Sequence, residues 1–133
     1  MPSLILPYPP SANRYWRVFR GHHVPSAAAK AYRESVWAIA AQAGLRSQFM
    51  GGVVLDLVLR PLAPKDAERR ERLRGPDWHW GVRCIDADNA LKICLDALQG
   101  VAYANDNQIR KITIERGEPC PGGALEITWE KTA

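Results

Sequence analysis

The chain has 133 residues, 47% hydrophobic and 24% charged, which is the balance of one globular domain with a proper core and too little length for two. Eighteen Lys and Arg against 14 Asp and Glu give a formal charge of +4, a mild bias toward a polyanionic partner that concerns association and not fold. No run approaches the roughly 18–20 apolar residues of a membrane span, and the N-terminus lacks the basic-then-apolar plan of a signal peptide, so a cytoplasmic protein without membrane contact is expected.

Leu4-Ile5-Leu6 predicts a first strand. Pro7-Tyr8-Pro9-Pro10 closes it, a cluster that suits neither a sheet ladder nor a helix and so makes a stiff connector. Arg14, Arg17 and Arg20 then interleave with Tyr15 and Trp16 ahead of His22-His23-Val24. Guanidinium groups meet phosphates and aromatic faces stack on bases, so the stretch reads equally as a nucleic-acid surface or as a surface loop packed on the core. His22 and His23 read as solvated loop residues, with His23 also a candidate for a substrate contact.

A helix is predicted from Ser26, a good N-cap, to about Ala43, with Gly44 at the C′ position. Tyr32, Val36, Ile39, Ala40 and Ala43 recur on one face, so it reads as scaffold. After Gly51-Gly52, Val53–Arg60 carries apolar residues on both faces like a central strand, which leaves Asp56 an oddity.

Regular pattern stops from Pro61 to Arg83. Mixed-sign Lys65–Arg74 and then Gly75-Pro76-Asp77-Trp78-His79-Trp80 predict a basic arm at about 61–83. It is expected to be flexible until it orders on a nucleic acid, through Arg69, Arg70 and Arg83 and the faces of Trp78 and Trp80. Near the C-terminus, Gln108–Arg116 and Ala124–Glu130 alternate like strands around the turn region 117–123, and an antiparallel hairpin is expected. The fold class is therefore α+β. Residues 1–133 make a single two-layer domain, a mixed or antiparallel sheet with two helices on one face, in the order β-α-β-α-β-β with the arm before the second helix.

The chemistry concentrates between the arm and the last strands. A short amphipathic helix begins at Asp86 or Asp88 and ends at Gly100. Steps of four, four and three residues put Asp88, Lys92, Asp96 and Gln99 in one outward stripe, opposite Ala87, Leu91, Cys94 and Leu98. Cys94 thus reads as a small buried hydrophobe. Three cysteines (Cys84, Cys94, Cys120) without a CxxC pair argue against a disulfide framework or a zinc site. Asp96 is left as a reserve ligand or an ion-pair partner for Lys92.

The polar Asn105-Asp106-Asn107 loop is expected to return beside the helix and to gather Asp86, Asp88 and Asp106 into a hard-cation site. On the residues alone, the same acids also serve as an N-cap, as favourable charges on the helix macrodipole and as i, i+4 partners. Acids set among arginines suit phosphodiester hydrolysis, with a metal generating the nucleophile and arginines holding the backbone. Lys92 would neutralise charge on the scissile phosphate or leaving oxygen. The alternatives are a non-catalytic nucleic-acid-binding protein and, with less support, a Mg²⁺-nucleotide enzyme, since no glycine-rich phosphate loop precedes either helix.

These motifs in this order resemble the RusA-type Holliday junction resolvases. The residues that carry the likeness are LPYPPSANRYWR at the start, RGHHVPSAAAKAYRESV at the entry to the first helix, and DADNALKICLDAL followed by NDNQI. The resemblance implies Mg²⁺-dependent cleavage of four-way DNA junctions, with Mn²⁺ as a substitute ion and no small-molecule cofactor. It further implies a homodimer in which each subunit nicks one strand. Carried over by position, Asp86, Asp88 and Asp106 would bind the metal and Lys92 would be the catalytic lysine. The chain departs from the family pattern in the longer 61–83 segment, in the reduced basic run before Asp86, and at Asn105, where the family has an acid. Substrate preference is thereby left open.

Overall fold

A computed structural model describes residues 3–11, 16–44 and 51–132. The elements are β1 (Ser3–Leu6), β2 (Trp16–Phe19), β3 (His22–Pro25), α1 (Ala27–Gln42), β4 (Val53–Arg60), α2 (Ala67–Arg74), a 3₁₀ turn (Pro76–Gly81), α3 (Ala87–Leu98), a second 3₁₀ turn (Asp106–Gln108), β5 (Ile109–Arg116) and β6 (Ala124–Lys131). As expected, the domain is mixed α+β. Among the described residues no helix is long and apolar enough to cross a membrane.

The main sheet has the order β1-β6-β4-β5. β4 is central because Val53, Leu55, Leu57 and Leu59 are all buried on one face while Val54, Val58 and Arg60 are half-buried on the other. Complete burial of each such aliphatic side chain contributes about 1.5–3 kcal/mol, so the strand is stable only with neighbours on both sides. α1 and α3 cover its buried face, meeting Leu4, Leu6, Leu125, Ile127 and Trp129 in one core.

The expected β5–β6 hairpin does not form. β5 pairs with β4 in parallel and β6 pairs with β4 antiparallel, so β4 lies between them. Residues 117–123 pass across the end of β4, held by Gly117 N–H to Leu59 C=O (2.9 Å) and Cys120 N–H to Pro61 C=O (3.1 Å). A direct hairpin would have left doubly apolar β4 with one edge unpaired; seven residues readily span the roughly 10 Å of two strand spacings.

Residues 16–25 are also not a loop. β2 and β3 form a hairpin with a two-residue connection, Arg20 (φ 50°) and Gly21 (φ 79°), the positive-φ pair that matches the twist of a hairpin. His22 and His23 therefore lie in a strand.

The 61–83 segment is folded rather than a loose arm. Trp78 and Val82 are buried, Leu62 bridges to Cys120, and Arg116 on β5 donates to the carbonyl oxygens of His79 (3.3 Å) and Val82. Two apolar anchors suffice to dock a segment whose helix α2 itself buries nothing.

β4, α3 and β5 form a crossover unit joining two parallel strands, so α3 runs back along the sheet against their direction. Its N-terminus lies at the end where β1 and β4 finish. Its C-terminus lies at the end where β4 and β5 begin. That geometry decides where the acids sit.

Candidate active site

α3 starts at Asp86, which occupies the N-cap position with extended backbone and whose carbonyl accepts the first helical bond from Ala90 N–H (2.9 Å). Its carboxylate makes no capping hydrogen bond. Asp is a favoured cap residue, so a carboxylate at this position that leaves the helix N–H groups alone is available to something else. Asp88 follows in the first turn, its carboxylate exposed.

The segment before Asp86 is held by Tyr8. Its phenol oxygen accepts a 2.6 Å hydrogen bond from Ile85 N–H, and burial pushes the phenol pKa upward. The ring in turn lies against Gly123, where an added Cβ would sit 2.8 Å from Tyr8 Cδ1, at a φ of 70° that favours glycine. From sequence Tyr8 reads only as part of a proline connector; no local pattern marks a long-range contact of this kind.

Asp86 faces a cleft of about 680 Å³, lined also by Tyr8, Asn89, Arg70 and Arg83. Arg70 pairs with Asp66 one helical turn back (3.0 Å) and Arg83 is exposed. The 61–83 segment thus supplies one wall and two cations to the cleft. Asn89, which the sequence reading does not single out as a site residue, joins Asp86 there.

Asp106 is elsewhere. It opens the second 3₁₀ turn at the start of β5, where Ile109 registers with Val53 at the beginning of β4. Twelve residues of α3 at 1.5 Å each separate this region from Asp86, about 18 Å. The expectation that the loop returns Asp106 to the helix start is therefore not met within one chain, and among the described residues no three acidic, imidazole or thiol groups converge on one point. Near its own end Asp106 approaches buried Tyr103, whose phenol is pushed up mainly by burial and further by the Cys94, Asp106 and Asp96 charges, and which donates to Leu95 C=O (2.6 Å).

The Asp106 turn is tightly clasped. Gln108 Oε1 accepts from Ala104 N–H (2.9 Å) and Asn105 N–H (3.0 Å), while its Nε2 donates to Gly51 C=O (2.9 Å). Asn105 Oδ1 accepts from Asn107 N–H (3.0 Å). The two amides occupy the backbone donors, leaving the Asp106 carboxylate exposed.

Asp96 pairs across to the first helix. It accepts from Arg33 on α1, at 2.6 Å from Nε and 2.5 Å from Nη2. The α1–α3 packing that brings Arg33 there also directs Trp37 Nε1–H to Ala97 C=O (3.0 Å). Lys92 is exposed, and among the described residues no ion pair joins it to Asp88. The buried stripe of α3 is Ala90, Ile93, Cys94, Ala97 and Leu98; Ala87 is exposed, because the first turn projects beyond the core. Burial pushes the Cys94 thiol up to about 12. Asp56 lies on the open face of the sheet and accepts a hydrogen bond from Thr113.

Arg20 sits at the tip of the β2–β3 hairpin, its guanidinium 5.3 Å from the Phe19 ring centre. Arg69 is exposed on α2. Arg14 lies outside the described residues, as do the side chains of Arg17 and His23.

The donor set suits a small hard cation. Mg²⁺ is commonly held by one or two carboxylates with waters and substrate phosphate completing its octahedron, so a closed protein cage is not required. Asp86 and Asp88 are two carboxylates on one rigid helix start, neither of them committed to an ion pair among the described residues.

Comparison with known proteins adds the family. A family model described as endodeoxyribonuclease RusA matches residues 7–128. A crossover junction endodeoxyribonuclease of Enterobacteria phage HK97 is 33% identical over 130 residues, covering 94% of this chain and 90% of its own. That of Escherichia coli is 32% identical over 127 residues (95% and 91%), and that of Enterobacteria phage 82 is 31% identical over 126 (94% and 90%). With a family match over most of its length and relatives this similar end to end, the chain belongs to the RusA endodeoxyribonuclease family.

Proposed function

We propose that this protein is a Mg²⁺-dependent, structure-selective endonuclease that resolves Holliday junctions by paired nicks in opposing strands. Its relatives carry the name crossover junction endodeoxyribonuclease, and the observation that carries the reading here is the uncapped Asp86 carboxylate facing a cleft walled by Arg70 and Arg83. Asp86 and Asp88 hold the ion together with the scissile phosphate. The bound ion supplies Lewis-acid polarisation of the phosphorus and a nucleophilic water of lowered pKa. Arg70 and Arg83 orient the strand by its phosphates, and Arg14, Arg17, Arg20, Arg69 and His23 add further contacts to the DNA. Lys92, one turn beyond Asp88, stabilises negative charge on the phosphate as the leaving oxygen departs.

Asp106 enters this scheme from a second copy. Metal–oxygen distances near 2.1 Å cannot bridge about 18 Å along α3, so Asp106 of one subunit serves the Asp86–Asp88 pair of its partner in a homodimer. A symmetric pair of such composite sites yields one nick per site, on two strands.

The test is a labelled four-way junction incubated with and without Mg²⁺ or Mn²⁺. Asp88→Asn is expected to lose cleavage while binding is kept or tightened, since one negative charge near the phosphates is removed. Parental nicking by that variant would overturn the metal assignment, and a protein that shifts the junction in a gel yet never cuts it would be a binding module.

A further inference from the structure

The first 3₁₀ turn holds two tryptophans with opposite fates. Trp78 is buried at 9% exposure, whereas Trp80 is 73% exposed. Trp80 shares a pocket of about 420 Å³ with His79 and Arg116. The Arg116 Nη2 group donates to two carbonyl oxygens of this segment, those of His79 and Val82, which locks the guanidinium beside the indole. A guanidinium has five N–H donors, so about three are left pointing elsewhere. His79 Nδ1 is buried with no hydrogen-bond partner among the described residues. The pocket therefore offers a large aromatic face and a fixed cation with spare donors, with His79 as part of its wall.

Its position matters as much as its contents. Arg116 ends β5 at the same end of the sheet where α3 begins. Val82 and Arg83, directly after the turn, line the Asp86 cleft, and the Arg116 charge reaches Tyr8 in that cleft. α2 packs on the turn and exposes Arg69, Arg72 and Arg74. An apolar protein partner would meet this positive surround unfavourably; a nucleotide matches it, base on indole and phosphate on guanidinium.

We propose that Trp80, Arg116 and His79 form a subsite for one nucleotide of the strand that continues from the Asp86 cleft, with its base stacked on Trp80 and its phosphate held by Arg116. The inference rests on the DNA-cleaving function proposed above and assigns the 61–83 segment a role in reading unpaired or unstacked bases at a branch. Fully paired duplex keeps its base faces covered, so the subsite favours branched over linear DNA.

The experiment binds the protein to a four-way junction in Ca²⁺, without cleavage, with 2-aminopurine placed in turn at each position around the crossover. Trp80→Ala is expected to weaken binding roughly 5- to 150-fold, the range for loss of one base–aromatic stack, and Trp80→Phe to restore most of it. One 2-aminopurine position should change fluorescence on binding the wild type and Trp80→Phe, and fail to do so with Trp80→Ala. Equal affinity and the same fluorescence pattern for Trp80→Ala and wild type would overturn the subsite while leaving the nuclease reading intact. A wild type that does not bind the junction at all would overturn both.

Discussion

The separation of Asp86 and Asp88 from Asp106 makes a quantitative prediction about mixing. Asp88→Asn and Asp106→Asn should each be inactive as a pure dimer, because either change removes one carboxylate from both composite sites. In a mixed dimer the two defects fall together. One site receives the Asp88→Asn helix start of one subunit and the Asp106→Asn turn of the other, and is doubly disabled. The second site combines native Asp88 with native Asp106 and is intact. Random exchange of equal amounts yields about half mixed dimers, each with one of two sites working, so nicking should recover to roughly a quarter of the wild-type rate. The products should be single nicks instead of paired ones. The assay is junction cleavage in Mg²⁺ after the two variants are exchanged through mild denaturant, with subunit exchange verified by a tag on one variant. If mixed dimers are present and no nicking returns, the sharing of each site between two subunits is refuted.

Three further outcomes follow from single contacts. Asp96→Asn breaks a charge-assisted bond to Arg33 in which both side chains are about a quarter exposed, so thermal unfolding should fall by about 3–5 °C, on the order of 1 kcal/mol, with the Mg²⁺ dependence of cleavage unaltered; a shifted metal requirement would return Asp96 to the site. Gln108→Leu removes the amide that clasps the Asp106 turn through three hydrogen bonds, and the Mg²⁺ concentration needed for half-maximal cleavage should rise about 10-fold, against little change in melting temperature. The Cys94 thiol has a folded pKa of about 12 against an ordinary 9.0, so the unfolded chain releases this proton first: the thiol's contribution to stability is complete below pH 9 and declines as pH rises from 9 toward 12. Cys94→Ala should flatten that alkaline loss in a series of thermal melts, and an unchanged slope would refute the burial argument.

Much of the fold is legible in the residues because the signals are local. Ser26 caps α1 by accepting from Ala29 N–H (3.2 Å), Gly44 takes the positive φ that ends it, and Cys94 lies in the core, each as periodicity and cap chemistry predict. The Asp86-Ala87-Asp88 helix start is equally visible. What stays hidden depends on partners distant in sequence. Alternation cannot reveal that β4 will separate β5 from β6, nor that a phenol at position 8 will hold the backbone at Ile85. Asp96 and Lys92 are correctly spaced for an ion pair, yet Arg33, brought over by α1 packing, competes successfully for the carboxylate. The 61–83 segment looks structureless since its anchors, Trp78 and Val82, follow no period. The helix-period stripe locates the acids on α3 without indicating that the crossover topology will carry Asp106 to its far end.

The pairing of β1 with β6 has a consequence for how the chain is made. Ser3 lies beside Thr128 and Leu6 beside Leu125, so β1 leaves the ribosome long before β6, its only described ladder partner. Until β6 emerges, β1 waits with an unpaired edge and β4 with only one neighbour. Contacts of such long sequence separation slow folding, because loop closure must precede their reward. Local elements such as α1 and the β2–β3 hairpin need no such wait, whereas the β1 edge of the sheet closes only once β6 is available. Removing β6 would leave an edge of β1 and an edge of β4 unpaired together, an open-edged species prone to aggregate.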